Sequence, residues 1–454
     1  MSENVIVVGA GVAGLTAAYR LKMAGVTVTV IEAAGHVGGR MSTLTRDGYR
    51  IDLGASLLPR SYKQMLRLIG DAGLTGEIAS TSSLFGLVRD NAVHRFRAGN
   101  VKDMLGIPLS ARSKLTLSNA VVDCVRLGGK LDWYDLSRAL DADGENALAY
   151  ATRRLNREIF DYLVEPTCAS MTLNTAEDNS AASFLFFVRR VLATRGLFNS
   201  PSGIDFLARG LAQQVGDVRC DTTALAIEET STGVAVTWQA SGSPQQTTEA
   251  AACVIALPAG NAERLYHGWT PGQREFLNSV RYGSCVNVTF ALSRPPDEPA
   301  CFLLTPRAEQ PDLGAVVLEH NKAPGRAPAG RGLVTTYWRQ TWSDPRAGLD
   351  DAAISADALD TLGKALPRLV PDVTHVEWTH VQRWNPSIAV NFPGHLAALR
   401  QFIRSLDPRS RVQLAGDFFS GTTTNSSLCS GERAAQRILA ALQQPRPPEQ
   451  AYQA

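Results

Sequence analysis

The chain is poor in the features that mark several common protein classes. Only 19% of its 454 residues are charged, and Lys and Arg exceed Asp and Glu by a net +2. No electrostatic footprint for nucleic acid follows from that balance. Its seven cysteines, at 124, 168, 220, 253, 285, 301 and 429, form no C-x-x-C pair. A scattered, odd set argues against a disulfide framework or structural zinc and suits a reducing compartment. The seven histidines show neither H-x-x-x-H nor H-E-x-x-H, so no metal is expected. Long apolar runs are missing too. The most apolar, Phe184 to Val188, stops at Arg189 and Arg190, far short of the roughly 20 residues a spanning helix needs. No secretory pattern precedes Val5, and the expectation is a soluble, cytoplasmic protein.

What the chain does have is concentrated at its start. Val5 to Val8 reads as a strand, then come Gly9, Gly11 and Gly14, a helix-forming stretch from Leu15 to Leu21, and a second strand from Val26 to Ile31 that ends on Glu32. This is a βαβ dinucleotide fingerprint. Gly9 permits the tight turn and Gly11 lets a pyrophosphate approach the backbone. Gly14 allows close helix–sheet packing, while Val12 and Ala13 head the helix whose free N–H groups receive the phosphate. Glu32 is placed to accept hydrogen bonds from a ribose hydroxyl. A second glycine pair follows in the segment that starts at Ala33: Gly38, Gly39, then Arg40. A second close backbone approach with a guanidinium suits a longer dinucleotide lying across the sheet, namely FAD.

The segment from Glu32 to Arg40 resembles the continuation found in the flavin amine oxidase superfamily, which includes monoamine oxidases, protoporphyrinogen oxidases and phytoene-type desaturases. Further segments extend the resemblance over nearly the whole chain. Gly48 to Ser56 resembles the family segment beneath the flavin ring, which assigns Gly54, Ala55 and Ser56 to the cofactor. Thr223 to Ile227, Gly233 to Val236 and Ala251 to Pro258 resemble its second cofactor segment, with Ala224 against the adenine. Val412 to Asp417 and Ser427 to Ala435 resemble its closing signature, in which Gly416 and Asp417 face the ribityl chain and the backbone at Leu428 faces the flavin. Cys429 is misplaced for the family's usual cysteinyl link, so non-covalent FAD is implied.

The implied fold is α/β: a discontinuous Rossmann-like FAD-binding domain with an inserted helical lobe and a mixed-sheet substrate lobe. The cofactor segments fall at 1–80, 205–262 and 376–442. Between them, 81–204 reads as helical, with Ser110 capping a helix that stops at Gly128-Gly129. The stretch 263–375 mixes strands, at 284–292 and 332–339, with a helix at 350–369. The proline-rich tail, 443–454, reads as disordered. Phe184 to Leu192, beside Arg189, Arg190 and Arg195, reads as a buried helix with solvated arginines in preference to a membrane-surface patch.

Two departures from the resemblance discriminate within the family. Amine oxidases carry a lysine where this chain has Asn287, and an aromatic cage residue where it has Thr423. Arg383 to Leu396, with Trp384 and Phe392 as candidate cavity walls, resembles instead a porphyrinogen oxidase segment, as does the turn at Gly203. The expectation is an FAD-dependent oxidase or desaturase. It acts on a small, largely apolar cyclic nitrogenous or conjugated molecule, with oxygen or a quinone as acceptor. A modified amine oxidase is the alternative, and a flavin-free binding module of the GDP-dissociation inhibitor type is remote. No catalytic side chain is required by flavin chemistry. His395 is the one titratable candidate for a proton relay, against a packed structural histidine.

Overall fold

The computed structural model describes residues 4–369 and 373–443, so the tail beyond Gln443 lies outside the described residues. Its first layer is a five-stranded parallel sheet in the order Val218–Arg219, Thr27–Ile31, Asn4–Val8, Ala252–Ile255, Val412–Leu414. Apolar strands buried on both faces are what a parallel sheet demands, and Val5, Val7, Ala252, Cys253 and Val254 are fully buried. The sheet draws on the start, the middle and the end of the chain. That is why the dinucleotide fingerprint and the closing signature, some 400 residues apart in sequence, stand side by side.

Two helices complete this layer. Val12–Met23 returns over the sheet, and Thr424–Leu442 packs along it. Their approach is close because Gly431 has no side chain: a Cβ there would lie 2.1 Å from the Ala13 carbonyl oxygen. A separate antiparallel sheet of Thr222–Glu229, Val234–Ala240 and Gln246–Ala250 hangs beside it.

A seven-stranded mixed sheet forms the second large layer, in the order Val376–Trp384, Cys285–Leu292, Gly332–Trp338, Leu313–Leu318, Phe302–Leu304, Leu84–Arg89, Ala92–Arg97. The strands expected at 284–292 and 332–339 are central and wholly buried. The hairpin 84–97, read with the helical stretch, pairs into one edge, and Val376–Trp384, read with the cofactor segments, forms the other. Helix Asp351–Ala365 covers part of this sheet.

The intervening residues are helical, with Val101–Gly106, Ala111–Leu127, Ala147–Arg154, Glu165–Thr172 and Ala181–Ala193 as the main elements. Ser110 caps Ala111–Leu127 by accepting the Ser113 N–H at 3.2 Å, and Gly128, at φ 46°, ends it. In Ala181–Ala193, residues 181–187 are buried. Of the arginines expected to be solvated, Arg195, beyond the helix, is exposed, whereas Arg190 folds back onto aromatic rings. Arg190 lies 4.1 Å from the Trp133 ring and 4.7 Å from the Phe186 ring, and burial lowers its pKa to about 10. Among the described residues, no helix is long and apolar enough to cross a membrane.

Replacing Gly431 by Ala forces the helix pair apart and is expected to cost about 1–3 kcal/mol. Urea unfolding of the variant reads this as a lowered midpoint; an unchanged midpoint would contradict the close packing.

Candidate functional site

The glycines of the first turn divide by what limits them. Gly9 sits at φ 103°, and a Cβ there would lie 2.6 Å from the Ala256 carbonyl oxygen. At Gly14 it would lie 1.9 Å from the Gly9 oxygen. Both are fixed by the fold itself. Gly11 is not: its φ is −72°, and a Cβ would meet nothing within 4 Å. The space over Gly11 is open, as a ligand's approach requires. Gly11 also caps the helix without a side chain, so the first-turn N–H groups at Val12, Ala13 and Gly14 lack a capping side chain and form an anion slot. The second glycine turn faces the first. Gly38 donates its N–H to the Ala10 carbonyl at 2.9 Å and bridges to Gly11, and a Cβ on Gly39 would lie 3.5 Å from the Gly11 Cα.

Glu32 ends its strand with its carboxylate against this loop, accepting N–H groups from Ala10 at 2.7 Å and Ala34 at 2.9 Å. Ala33 beside it is exposed. The Thr222 N–H donates to the Glu32 carbonyl and the Asp221 N–H to the Ala34 carbonyl. These bonds bring the next strand, with Ala224 at a bulge, to the same end of the sheet.

Arg40 leaves the glycine turn for the far side of the cradle, where it donates to Asp417 at 2.6 Å and to the Ser387 carbonyl at 2.5 Å. Tyr282 donates to the other Asp417 oxygen at 3.3 Å. Burial and that carboxylate raise the Tyr282 pKa well above the usual phenol value, so it stays protonated. Gly416 precedes Asp417 with its N–H on Ser430 Oγ at 2.9 Å.

The Leu53–Ser56 segment is pinned from the large sheet. Asn287 Nδ2 and Trp384 Nε1 both donate to the Leu53 carbonyl, at 3.0 and 2.8 Å, and the Tyr337 hydroxyl donates to that of Gly54 at 3.2 Å. On the other side the Ala55 N–H donates to the Arg40 carbonyl at 2.9 Å. A Cβ on Gly54 would lie 2.3 Å from that same oxygen. Lys322, buried, donates to Ser56 Oγ at 2.9 Å and to Asp52 at 2.7 Å. Sequence reasoning missed Lys322 and Tyr337. The one available signal was that Lys322 is the sole lysine between Lys130 and Lys364. Asn287, read from the sequence only as standing where amine oxidases have a lysine, lies beside this segment, and its Oδ1 is buried with no partner among the described residues. Buried acceptors are rarely left so, and an orphan beside this segment suits a ligand that supplies a donor. The open Gly11, the uncapped helix and this orphan together fit a dinucleotide laid across the sheet.

Other expected residues fall elsewhere. Trp384 meets the cradle, whereas Phe392 packs at 5.1 Å from His395 and under Arg281. His395 is buried between Phe392 and Phe276, with Nδ1 unpartnered among the described residues. Burial, then Arg281, lower its pKa to about 4. Thr423 caps the last helix by accepting the Ser426 N–H. That helix begins at Thr424, so Leu428 lies in its second turn, where N–H groups are already engaged. Burial raises the Cys429 thiol to about 12, which leaves it a packed, inert thiol.

Two facing glycine turns at the end of a parallel sheet, with the Leu53–Ser56 segment pinned beside them from a second sheet, are the arrangement of a dinucleotide-binding α/β protein. The family model for flavin containing amine oxidoreductases matches residues 12–439. The chain belongs to that family and is a flavin-dependent oxidoreductase with FAD as cofactor. It is 24% identical to coproporphyrinogen III oxidase of Mycobacterium tuberculosis, over 96% of this chain and 97% of that one. It is 30% identical to protoporphyrinogen oxidase 2 of Arabidopsis thaliana, but over 36% of this chain and only 31% of that protein, so the match spans about a third of the plant protein. The fold is that of cyclohexylamine oxidase from Brevibacterium oxydans, with TM-score 0.76 at 18% identity, covering 98% of this chain and 100% of that one.

Because nothing in the fold fills the space over Gly11, Gly11→Ala is expected to leave the melting temperature of the FAD-free protein unchanged. It is expected to weaken FAD binding by about tenfold or more, read by fluorescence quenching. Loss of stability without loss of affinity would reverse that assignment. His395 titrates near 4 in the fold and near 6.5 when unfolded, so its stability contribution, present above pH ~6.5, is lost as pH falls toward 4. His395→Phe should therefore lose roughly 2–3 kcal/mol less than the parent between pH 7 and 4.5 in urea titrations. Equal losses would show that His395 charges freely.

Proposed function

We propose that the chain is an FAD-dependent oxidase or desaturase of the porphyrinogen oxidase kind. It removes a hydride from a small, largely apolar cyclic nitrogenous or conjugated substrate and passes the electrons to oxygen or a quinone. The cradle at Gly9, Gly11, Gly14, Glu32, Gly38–Arg40, Gly54–Ser56, Ala224, Gly416 and Asp417 is the proposed FAD site, held without a covalent link. The flavin supplies the hydride-accepting centre. This chain's own residues position it and dry the space above it.

The observation that carries the reading is the surface meeting the Leu53–Ser56 segment. Leu173, Cys285, Phe302 and Tyr337 form one buried apolar cluster, with Leu57, Trp384 and Ile388 packed against it. Such a cluster keeps water away from the segment, as chemistry on an apolar substrate requires. Asn287 stands where an amine oxidase has its lysine, and Thr423 spends its hydroxyl as a helix cap where the cage residue would stand. Tyr337 stays protonated, since burial and the Glu319 carboxylate raise its pKa well above the usual phenol value. It holds the Gly54 carbonyl as a donor and offers no base. One observation favours the amine oxidase alternative: Tyr337 and Trp384 converge on adjacent carbonyls, as two aromatic walls around an amine would.

Anaerobic mixing of the FAD-loaded protein with reduced porphyrinogens and with a panel of cyclic and primary amines separates these readings. The proposal expects the flavin band near ~450 nm to bleach with a porphyrinogen or another cyclic conjugated substrate. Bleaching by primary amines alone would replace it with the alternative.

A further inference from the structure

Four ionisable side chains are sealed together against the Leu53–Ser56 segment. Lys322, Arg326, Asp52 and Glu319 are each no more than 1% exposed at the side chain. Lys322 pairs with Asp52 at 2.7 Å and with Glu319 at 2.5 Å, and Arg326 pairs with Asp52 at 2.7 Å. By formal count two cations meet two carboxylates, but the carboxylates are not alike. Burial opposes the Asp52 charge, yet Lys322 and Arg326 prevail and hold its pKa below the usual value. Glu319 has Lys322 as its one ion-pair partner among the described residues, and there burial prevails and pushes the pKa up. Asp205, the next carboxylate, is paired with Arg209 at 3.1 Å. The buried set therefore carries more positive charge than negative.

Lys322 presents that excess to the segment, donating to Ser56 Oγ at 2.9 Å. The other side chains bonded to Leu53–Ser56 among the described residues are neutral: Asn287, Trp384, Tyr337 and Asn199. Arg40, the cation across the cradle, is matched by Asp417 at 2.6 Å. Stability alone does not ask for an ammonium here, since apolar residues of similar volume usually serve a fold as well or better. Water does not screen a charge so placed, and its field reaches further than in bulk solvent.

We propose that Lys322 raises the reduction potential of the bound FAD, making it a stronger hydride acceptor as well as fixing its seat. The inference rests on the reading that FAD lies against Leu53–Ser56. Hydride transfer moves a proton and two electrons together. The substrate is oxidised and left with one positive charge, while the flavin is reduced and gains one negative charge. A fixed cation beside the ring favours that reduced form. Lys322 acts through Ser56 and is a positioning residue.

Equilibrium reduction of the full, FAD-loaded protein against a reference dye, beside free FAD at pH ~7, tests this. Bound FAD is expected to favour reduction over free FAD by about tenfold or more, about 30 mV for a two-electron couple. Lys322→Gln, which keeps donors for Asp52 and Ser56 without the charge, is expected to remove most of that gain. Glu319→Gln, isosteric and neutral, is expected to stay within about twofold of the parent. It reports on the set even if Lys322→Gln does not hold FAD. Three results would each overturn the proposal: parent FAD reduced no more readily than free FAD, Lys322→Gln at the parent potential, or Glu319→Gln favouring reduction by about tenfold, the mark of a balanced set. A parent that takes up no FAD would overturn the cofactor seat as well, whereas FAD bound normally at an unraised potential overturns the proposal alone.

Discussion

One completely buried carboxylate joins the parts of this molecule that matter to its chemistry. Asp52 accepts Arg326 at 2.7 Å, the Thr43 hydroxyl at 3.0 Å and the Ile204 N–H at 3.0 Å on one oxygen, and Lys322 at 2.7 Å on the other. Burial opposes its charge, but Lys322 and Arg326 outweigh burial and hold its pKa below the usual carboxylate value. A second buried carboxylate, Glu319, pairs with Lys322 at 2.5 Å, and there burial prevails and raises the pKa. Such a cluster is a weak source of net stability. Removing one member, however, strands the rest uncompensated, at a cost of about 3–5 kcal/mol. Its effect is therefore geometric. The strand Tyr49–Asp52 runs directly into Leu53–Ser56, so the hub fixes the segment that the large sheet pins from beyond.

That arrangement distributes labour sensibly. The parallel sheet and its two glycine turns offer backbone and an open helix end to a diphosphate. The large sheet contributes side chains that hold carbonyls without titrating: an amide, an indole and a phenol kept protonated by burial. His395, pushed to about 4 between two aromatic rings, is neutral at physiological pH. It is a packed histidine with little capacity to carry a proton there. The chemistry is left to the cofactor, in keeping with an enzyme whose protein part positions and excludes water.

Much of this was legible in the sequence, for identifiable reasons. Turn glycines, a capping serine and apolar strands carry local physical requirements, so the fingerprint, Ser110 and the strand at 284–292 could be read directly. The same glycines were told apart by their motif positions, Gly11 for a pyrophosphate and Gly14 for packing; neighbours in space add the reason, since a Cβ would meet nothing at Gly11 and the Gly9 carbonyl oxygen at Gly14. Lys322 reaches Asp52 and Ser56 across more than 260 residues, a meeting set by sheet register and invisible to spacing. The hairpin 84–97 was merged with the helices after it because two short strands with no deep apolar alternation resemble a loop. Helical periodicity in 111–127 showed that one face is apolar, not which face meets water.

The central claim is that three chain-distant segments, 9–14, 38–56 and 416–417, enclose one FAD. Hydrogen–deuterium exchange of the purified protein with and without FAD tests it most directly. The account predicts that amides in all three segments become protected together on binding, with the distant helix at 111–127 unchanged. Protection confined to the first glycine turn, leaving 53–56 and 416–417 as they were, would contradict it.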